Sequence, residues 1–160
     1  MNTLIIYDSQ FGNTEKIARQ IGATLQAFGE TRVEHVNNAF GLTLRGVDLL
    51  VVGGPTQAWG ATRPIKNWLA HLQPDDLDRV FGAEFDTRYE KPRWLTGSAA
   101  KGIEKQLKQH GATLLLSPES FFVADKEGPL HEGELERAAE WARALHDEYE
   151  RQAKLVAVMA

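Results

Sequence analysis

Short apolar runs of strand type alternate with amphipathic helical patterns along all 160 residues, and this alternation limits the fold more than any other feature. Leu4-Ile5-Ile6-Tyr7 reads as a first strand. Residues 13–28 set Ile17, Ile21, Leu25 and Phe28 on one helical face, and Gly29 supplies a stop. Val33 to Val36 reads as a second strand. Val47 to Val52, VDLLVV, reads as the apolar run expected of a strand buried on both faces. Pro64 opens a helix carrying Ile65, Trp68, Leu69 and Leu72, a position where proline is tolerated. Val80 to Phe85 is a fourth strand. Ile103 and Leu107 mark a helix closed by Gly111. Leu114-Leu115-Leu116 is a fifth strand, which Ser120 to Val123 can continue after Pro118. A last helix starts near Gly133 and is expected to bury Leu135, Ala138, Ala142, Leu145 and Tyr149. A further short helix is expected near Leu42 to Arg45.

Strands that alternate with helices imply right-handed crossovers and a parallel sheet covered on both faces. Such folds take ligands beyond the carboxyl ends of the strands, where the strand order reverses. One domain accounts for the length. Residues 1–153 are assigned to it, and the apolar residues 154–160 form a tail that either docks on the body or joins two chains. A hydrophobic share of 42% with 25% charged residues excludes a disordered chain. The net charge of −4 argues against nucleic-acid binding, which calls for a basic excess. With no cysteine, disulfides, iron–sulfur clusters and a thiol nucleophile are excluded. No apolar run nears the roughly 20 residues of a membrane span. The start, MNTLIIYDSQ, lacks the basic and long apolar regions of a signal peptide, so the expected location is the cytoplasm.

The segments after the strands carry the chemistry. Ser9, Gln10, Phe11, Gly12, Asn13 and Thr14 follow the first strand and lead into a helix. Hydroxyl and amide donors, a tight turn at Gly12 and the free amides of a helix start suit a phosphate. A capped strand-to-helix turn is the plainer reading. Neither G-x-x-x-x-G-K-[ST] nor G-x-G-x-x-G is present. Pro55, Thr56, Gln57, Ala58, Trp59 and Gly60 follow the third strand. A tryptophan on a glycine-flanked loop suits stacking on a planar ligand, or else folds back on the helix below. Asp86, Thr87, Arg88 and Tyr89 follow the fourth strand, with Trp94 beyond. Asp86 can accept a hydrogen bond from a ring N–H. Either Tyr89 or Trp94 can supply a second stacking face.

In these three segments the chain resembles the flavodoxin family. Ser9-x-x-Gly12-Asn13-Thr14 is similar to the family's phosphate loop, with Phe11 in place of its middle Thr. Gly54-Pro55-Thr56 with Trp59 resembles the loop that packs a Trp against the flavin, and Asp86-x-x-Tyr89 resembles the G-D-x-x-Y loop, with Phe85 for Gly. The resemblance implies a three-layer sandwich whose five-stranded parallel sheet has the order 2-1-3-4-5. It also implies non-covalent FMN, electron transfer, and a redox partner protein or small-molecule acceptor. Ser9 to Thr14 would hold the phosphate. Pro55 to Gly60 would line one side of the ring, and Asp86 to Tyr89 with Trp94 the other.

Charge is distributed unevenly. Residues 55–66 carry Arg63 and Lys66 and no acid, and residues 86–101 carry a net +2 from Arg88, Lys91, Arg93 and Lys101 against Asp86 and Glu90. Residues 118–134 hold a net −4. Basic groups around the ring would favour an anionic reduced flavin. Two further readings are open. An FMN enzyme could itself reduce a quinone-type acceptor with NAD(P)H, although no nucleotide motif is visible. A phosphoreceiver domain needs an Asp at the end of the third strand, where Gly53-Gly54-Pro55 stands. The histidines show no metal spacing, Ser98 reads as a helix cap, and Trp68 and Trp141 read as packing residues.

Overall fold

Successive side chains of a strand point to opposite faces, so a strand buried on both sides must be apolar at every position. β1 (Thr3–Tyr7), from Leu4 onward, and β3 (Leu49–Pro55) meet this requirement. The computed structural model describes residues 1–160. Ile5, Tyr7, Leu49 and Val51 face one layer, formed by α1 (Asn13–Leu25) and α5 (Glu134–Met159). Leu4, Ile6, Leu50 and Val52 face the other, formed by α2 (Arg63–His71) and α4 (Ala99–Gln109). Trp141 packs in the first layer and Trp68 in the second.

β2 (Thr31–His35) flanks β1, and β4 (Phe81–Tyr89) flanks β3 on the other side. β5 (Thr113–Leu114) and β6 (Glu119–Val123) then pair one after the other along β4. All pairings are parallel, and the order is β2-β1-β3-β4-β5, with β6 in line with β5. The ladder breaks between Leu115 and Pro118, which has no N–H to donate. The expected order and the continuation of the fifth strand after Pro118 are both present. Close packing has local requirements. A Cβ at Gly53 would run into the ring of Phe85 on β4.

Several expectations change. The third strand runs from Leu49 to Pro55, with Val47 and Asp48 outside it, and the fifth is only Thr113–Leu114. The fourth strand runs on to Tyr89, because β6 supplies a partner from Phe85↔Glu119 to Tyr89↔Val123. The second strand ends at His35, and Val36–Asn38 is a single 3₁₀ turn. No helix forms at Leu42 to Arg45, a turn and irregular segment. Leu135 is exposed. Glu134 takes the buried place instead, accepting the Phe122 amide (2.7 Å) and binding Arg137. The apolar tail continues α5 as helix to Met159, with Val156, Val158 and Met159 exposed.

Candidate functional site

The turn between β1 and α1 is held from within. Ser9 Oγ accepts the Gly12 amide (3.1 Å), and Gly12 turns the chain at φ +89°. A left-handed residue is least costly as glycine. No side chain caps α1, and its first intrahelical bond is Lys16 N–H to the Gly12 carbonyl. The amides of Asn13, Thr14 and Glu15 therefore remain free, at the end where the helix dipole is positive. The Thr14 hydroxyl lies 2.8 Å from that of Thr87 on β4. Asn13 turns away, donating from Nδ2 to the Glu127 carbonyl and tying the loop after β6 to this helix start.

The second loop is a tight hairpin. Gln57 and Gly60 exchange both backbone bonds (2.8 and 3.0 Å). Ala58 and Trp59 occupy the corners at φ +45° and +74°. Corners of this kind favour Gly or Asn, and a non-glycine residue there costs about 1–3 kcal/mol. The Trp59 backbone pairs with Gly97, where a Cβ would collide with it. The Trp59 side chain is 65% exposed, beside the cleft rather than folded into the core. Gln57 donates across the cleft mouth to Gln10.

Asp86 is fully buried and does not line the cleft. Its Oδ2 accepts the hydroxyls of Ser98 (2.7 Å) and Thr56 (3.0 Å) and the Ala100 amide (3.1 Å). Ser98 caps α4, as its sequence position suggests. Asp86 thus anchors the second loop to the start of α4. Arg88, two residues on and on the same face of β4, is also buried. Its guanidinium donates to Ser120 Oγ (2.9 Å), to the Tyr89 and Lys91 carbonyls and to Thr96 Oγ. Burial lowers its pKa, against the opposing effect of Asp86 at 3.8 Å. Arg88 is committed to the segment that carries α3 (Arg93–Thr96).

Glu84 lies two residues before Asp86 on the same face and is 1% exposed, with neither carboxylate oxygen hydrogen-bonded. Burial, reinforced by Glu104, pushes its carboxyl up to about 8.

These loops enclose a cleft of about 790 Å³ at the carboxyl ends of β1, β3, β4 and β6. That is within the size range of small-molecule sites. Its charged lining residues are Arg88, Lys91 and Lys126, and no carboxylate lines it. The Flavodoxin family model matches residues 5–141. The chain belongs to the flavodoxin family. The oxidised flavodoxin 1 of Bacillus cereus superposes with a TM-score of 0.77 at 17% identity, covering 92% of this chain and 98% of that one. Flavodoxin 2 of the same organism gives 0.76 at 24% identity, covering 92% and 99%. Rubredoxin:oxygen oxidoreductase of Desulfovibrio gigas gives 0.74 at 16% identity, covering 95% of this chain and 37% of that larger one. No curated protein matches by sequence.

Most sequence-named residues of this flavodoxin meet at the cleft. Ser9, Gln10, Phe11, Asn13 and Thr14 line it from the first loop, Pro55 to Trp59 from the second, and Thr87, Arg88 and Tyr89 from β4. Gly12 and Gly60 shape the backbone behind it. Asp86 and Trp94 are not among the lining residues. Asp86 Oδ2 is held by Thr56, Ser98 and Ala100, its Oδ1 is buried without a hydrogen-bond partner, and Trp94 is 76% exposed on α3. Of the basic groups expected around the ring, Arg63, Lys66, Arg93 and Lys101 lie outside, and Arg93 binds the Pro118 carbonyl. Lys126, Leu95, Thr96 and Val123 line the cleft without having been singled out. The rule that ligands sit beyond strand ends, extended to the segment after Val123, points to Lys126.

Proposed function

We propose that this flavodoxin carries electrons on FMN held non-covalently in the carboxyl-edge cleft, passing them to a redox partner protein or small-molecule acceptor in the cytoplasm. The uncapped start of α1, opening on a cleft with three cations and no carboxylate, is the observation that carries this reading. The residues present fit the cofactor. The free amides of Asn13, Thr14 and Glu15 would receive the phosphate, with the Ser9 and Thr14 hydroxyls beside them. Trp59 and Tyr89 would face the ring, Thr56 and Gln57 would support it from the β3 side, and Lys126 would face the anion from the loop after β6. When bound, FMN supplies reversible transfer of one or two electrons. The protein's part is to hold it rigidly through the Asp86 hub and the Gln57–Gly60 hairpin, and to exclude water from one side of it.

The test is an absorbance titration of the purified protein with FMN, followed by an NADH and NADPH oxidation assay with a quinone present. Perturbed flavin bands with no sustained pyridine-nucleotide oxidation are the expected result. Turnover at rates well above free FMN would replace the carrier reading with an oxidoreductase, and unperturbed flavin bands would remove both.

A further inference from the structure

Two arginines, Arg88 at the end of β4 and Arg93 beyond it, hold the four-residue helix α3 in place. Arg88 ties down Tyr89, Lys91 and Thr96 from beneath, and Arg93 binds the Pro118 carbonyl and Ser120 Oγ (both 3.2 Å). The helix so fixed presents Trp94 and Leu95 to solvent. Trp59 stands next to it, its backbone bridged to Gly97 at the end of α3. Exposed apolar side chains are normally scattered. Here two tryptophans, Leu95 and Tyr89 are gathered on rigid backbone at one side of the cleft, and Trp94 faces outward rather than into it.

The charge on this side is positive although the chain carries −4. Arg63, Lys66 and Lys91 are exposed and free of salt bridges. Lys66 lies against the Trp59 hairpin at Gly60. The carboxylate between β4 and α4 is Glu90, which pairs with His131 (3.3 Å). The acidic residues Asp125, Glu127 and Glu132 collect on the loop after β6. We propose that the Trp59–Trp94–Leu95 platform with its flanking Arg63, Lys66 and Lys91 docks an acidic redox protein, one whose surface sets carboxylates around an apolar spot. This rests on the electron-carrier reading. Aromatic anchors supply the binding energy of such a contact, and the opposed charges of the platform and the rest of the chain orient the encounter.

The probes are cytochrome b5, an acidic haem protein, and cytochrome c, a basic one. Association of each with the full-length protein is measured by calorimetry at low and high salt, both with and without FMN. A parallel FMN titration followed by absorbance reports the cofactor reading on its own. Cytochrome b5 is expected to bind more tightly than cytochrome c and to weaken as salt rises. Trp94→Ala should weaken that binding roughly tenfold, and Lys66→Glu roughly fivefold. Neither side chain lines the cleft, so FMN affinity should stay at the wild-type value in both. In the loaded complex, after stoichiometric dithionite has reduced FMN by two electrons to its anionic form, each flavin should convert two ferric haems to ferrous, its single proton passing to solvent. Tighter binding to cytochrome c, absence of salt-sensitive binding to cytochrome b5, or indifference to both substitutions would overturn the proposal. So would a Trp94-dependent dimer of this chain. Docking that persists in a protein unable to bind FMN would uphold the platform and refute the carrier reading instead.

Discussion

Two cavities of similar size lie at opposite edges of the sheet, about 790 Å³ at the carboxyl edge and about 650 Å³ at the amino edge. The second is lined by Asp75, Asp76 and Asp78 with Arg45 and Arg79, and by Phe40 and Leu72. Its charges are mixed, and its groups serve local structure. Asp76 accepts the Gln73 amide (2.8 Å), and Phe40 packs edge-on against His71 (5.0 Å). α2 ends there, presenting carbonyls rather than amides. The carboxyl-edge cleft receives the uncapped start of α1 and three cations. Volume does not separate the two edges; polarity does. A parallel sheet with right-handed crossovers brings helix starts to one edge and helix ends to the other, and only the first edge is prepared for an anion.

The largest expected effect comes from the hub that separates these edges. Asp86→Ala leaves Arg88 without its carboxylate and three donors without their acceptor. It should lower stability by about 3–5 kcal/mol, read by urea denaturation. A loss under about 1 kcal/mol would mean that Asp86 is dispensable and that the second loop is held by other means. Glu84, midway between the edges, comes next. Its folded pKa is raised to about 8, so its contribution is fully present below the unfolded carboxylate range and is lost as pH rises through about 8. Stability should therefore fall by on the order of 3 kcal/mol between pH 5 and pH 8.5. Glu84→Gln should flatten that decline, and a wild-type slope in the variant would refute the assignment.

The sheet and its two apolar layers were legible because a strand buried on both faces has no polar position to blur its pattern, as in Leu49 to Val52. The end of β4 was not. Asp86, Thr87 and Arg88 read as loop residues, yet each is buried with a partner: Ser98, Thr14 and Ser120. Those partners lie 12, 73 and 32 positions away. Local pattern cannot report them. Leu135 read as core through helical spacing, whereas an ion pair placed Glu134 inside. The three loops that line the cleft were named from the rule that ligands sit beyond strand ends. Lys126 was missed because it lies in a segment whose charge is otherwise acidic.

Smaller effects sharpen the contrast between the cavities. Thr14→Val removes the hydroxyl shared with Thr87 at the helix start, and should weaken FMN binding by about 1–2 kcal/mol. Phe40→Ala opens the amino-edge cavity and should leave FMN affinity within about twofold of wild type. Both are read from the same absorbance titration. A larger loss from Phe40→Ala than from Thr14→Val would assign the ligand to the wrong edge of the sheet.

The anion site at the start of α1 is what the cofactor assignment depends on most. The most direct measurement compares FMN with riboflavin, which differs from it by the phosphate alone, by calorimetry at fixed salt. The free amides each offer a charge-assisted bond of about 1.5–3 kcal/mol, partly offset by stripping water from the phosphate, so riboflavin should bind on the order of a thousandfold more weakly. Inorganic phosphate at millimolar concentration should compete with FMN and not with riboflavin. Equal affinities for the two flavins, with no effect of phosphate, would contradict the assignment of the helix start as the cofactor's anchor.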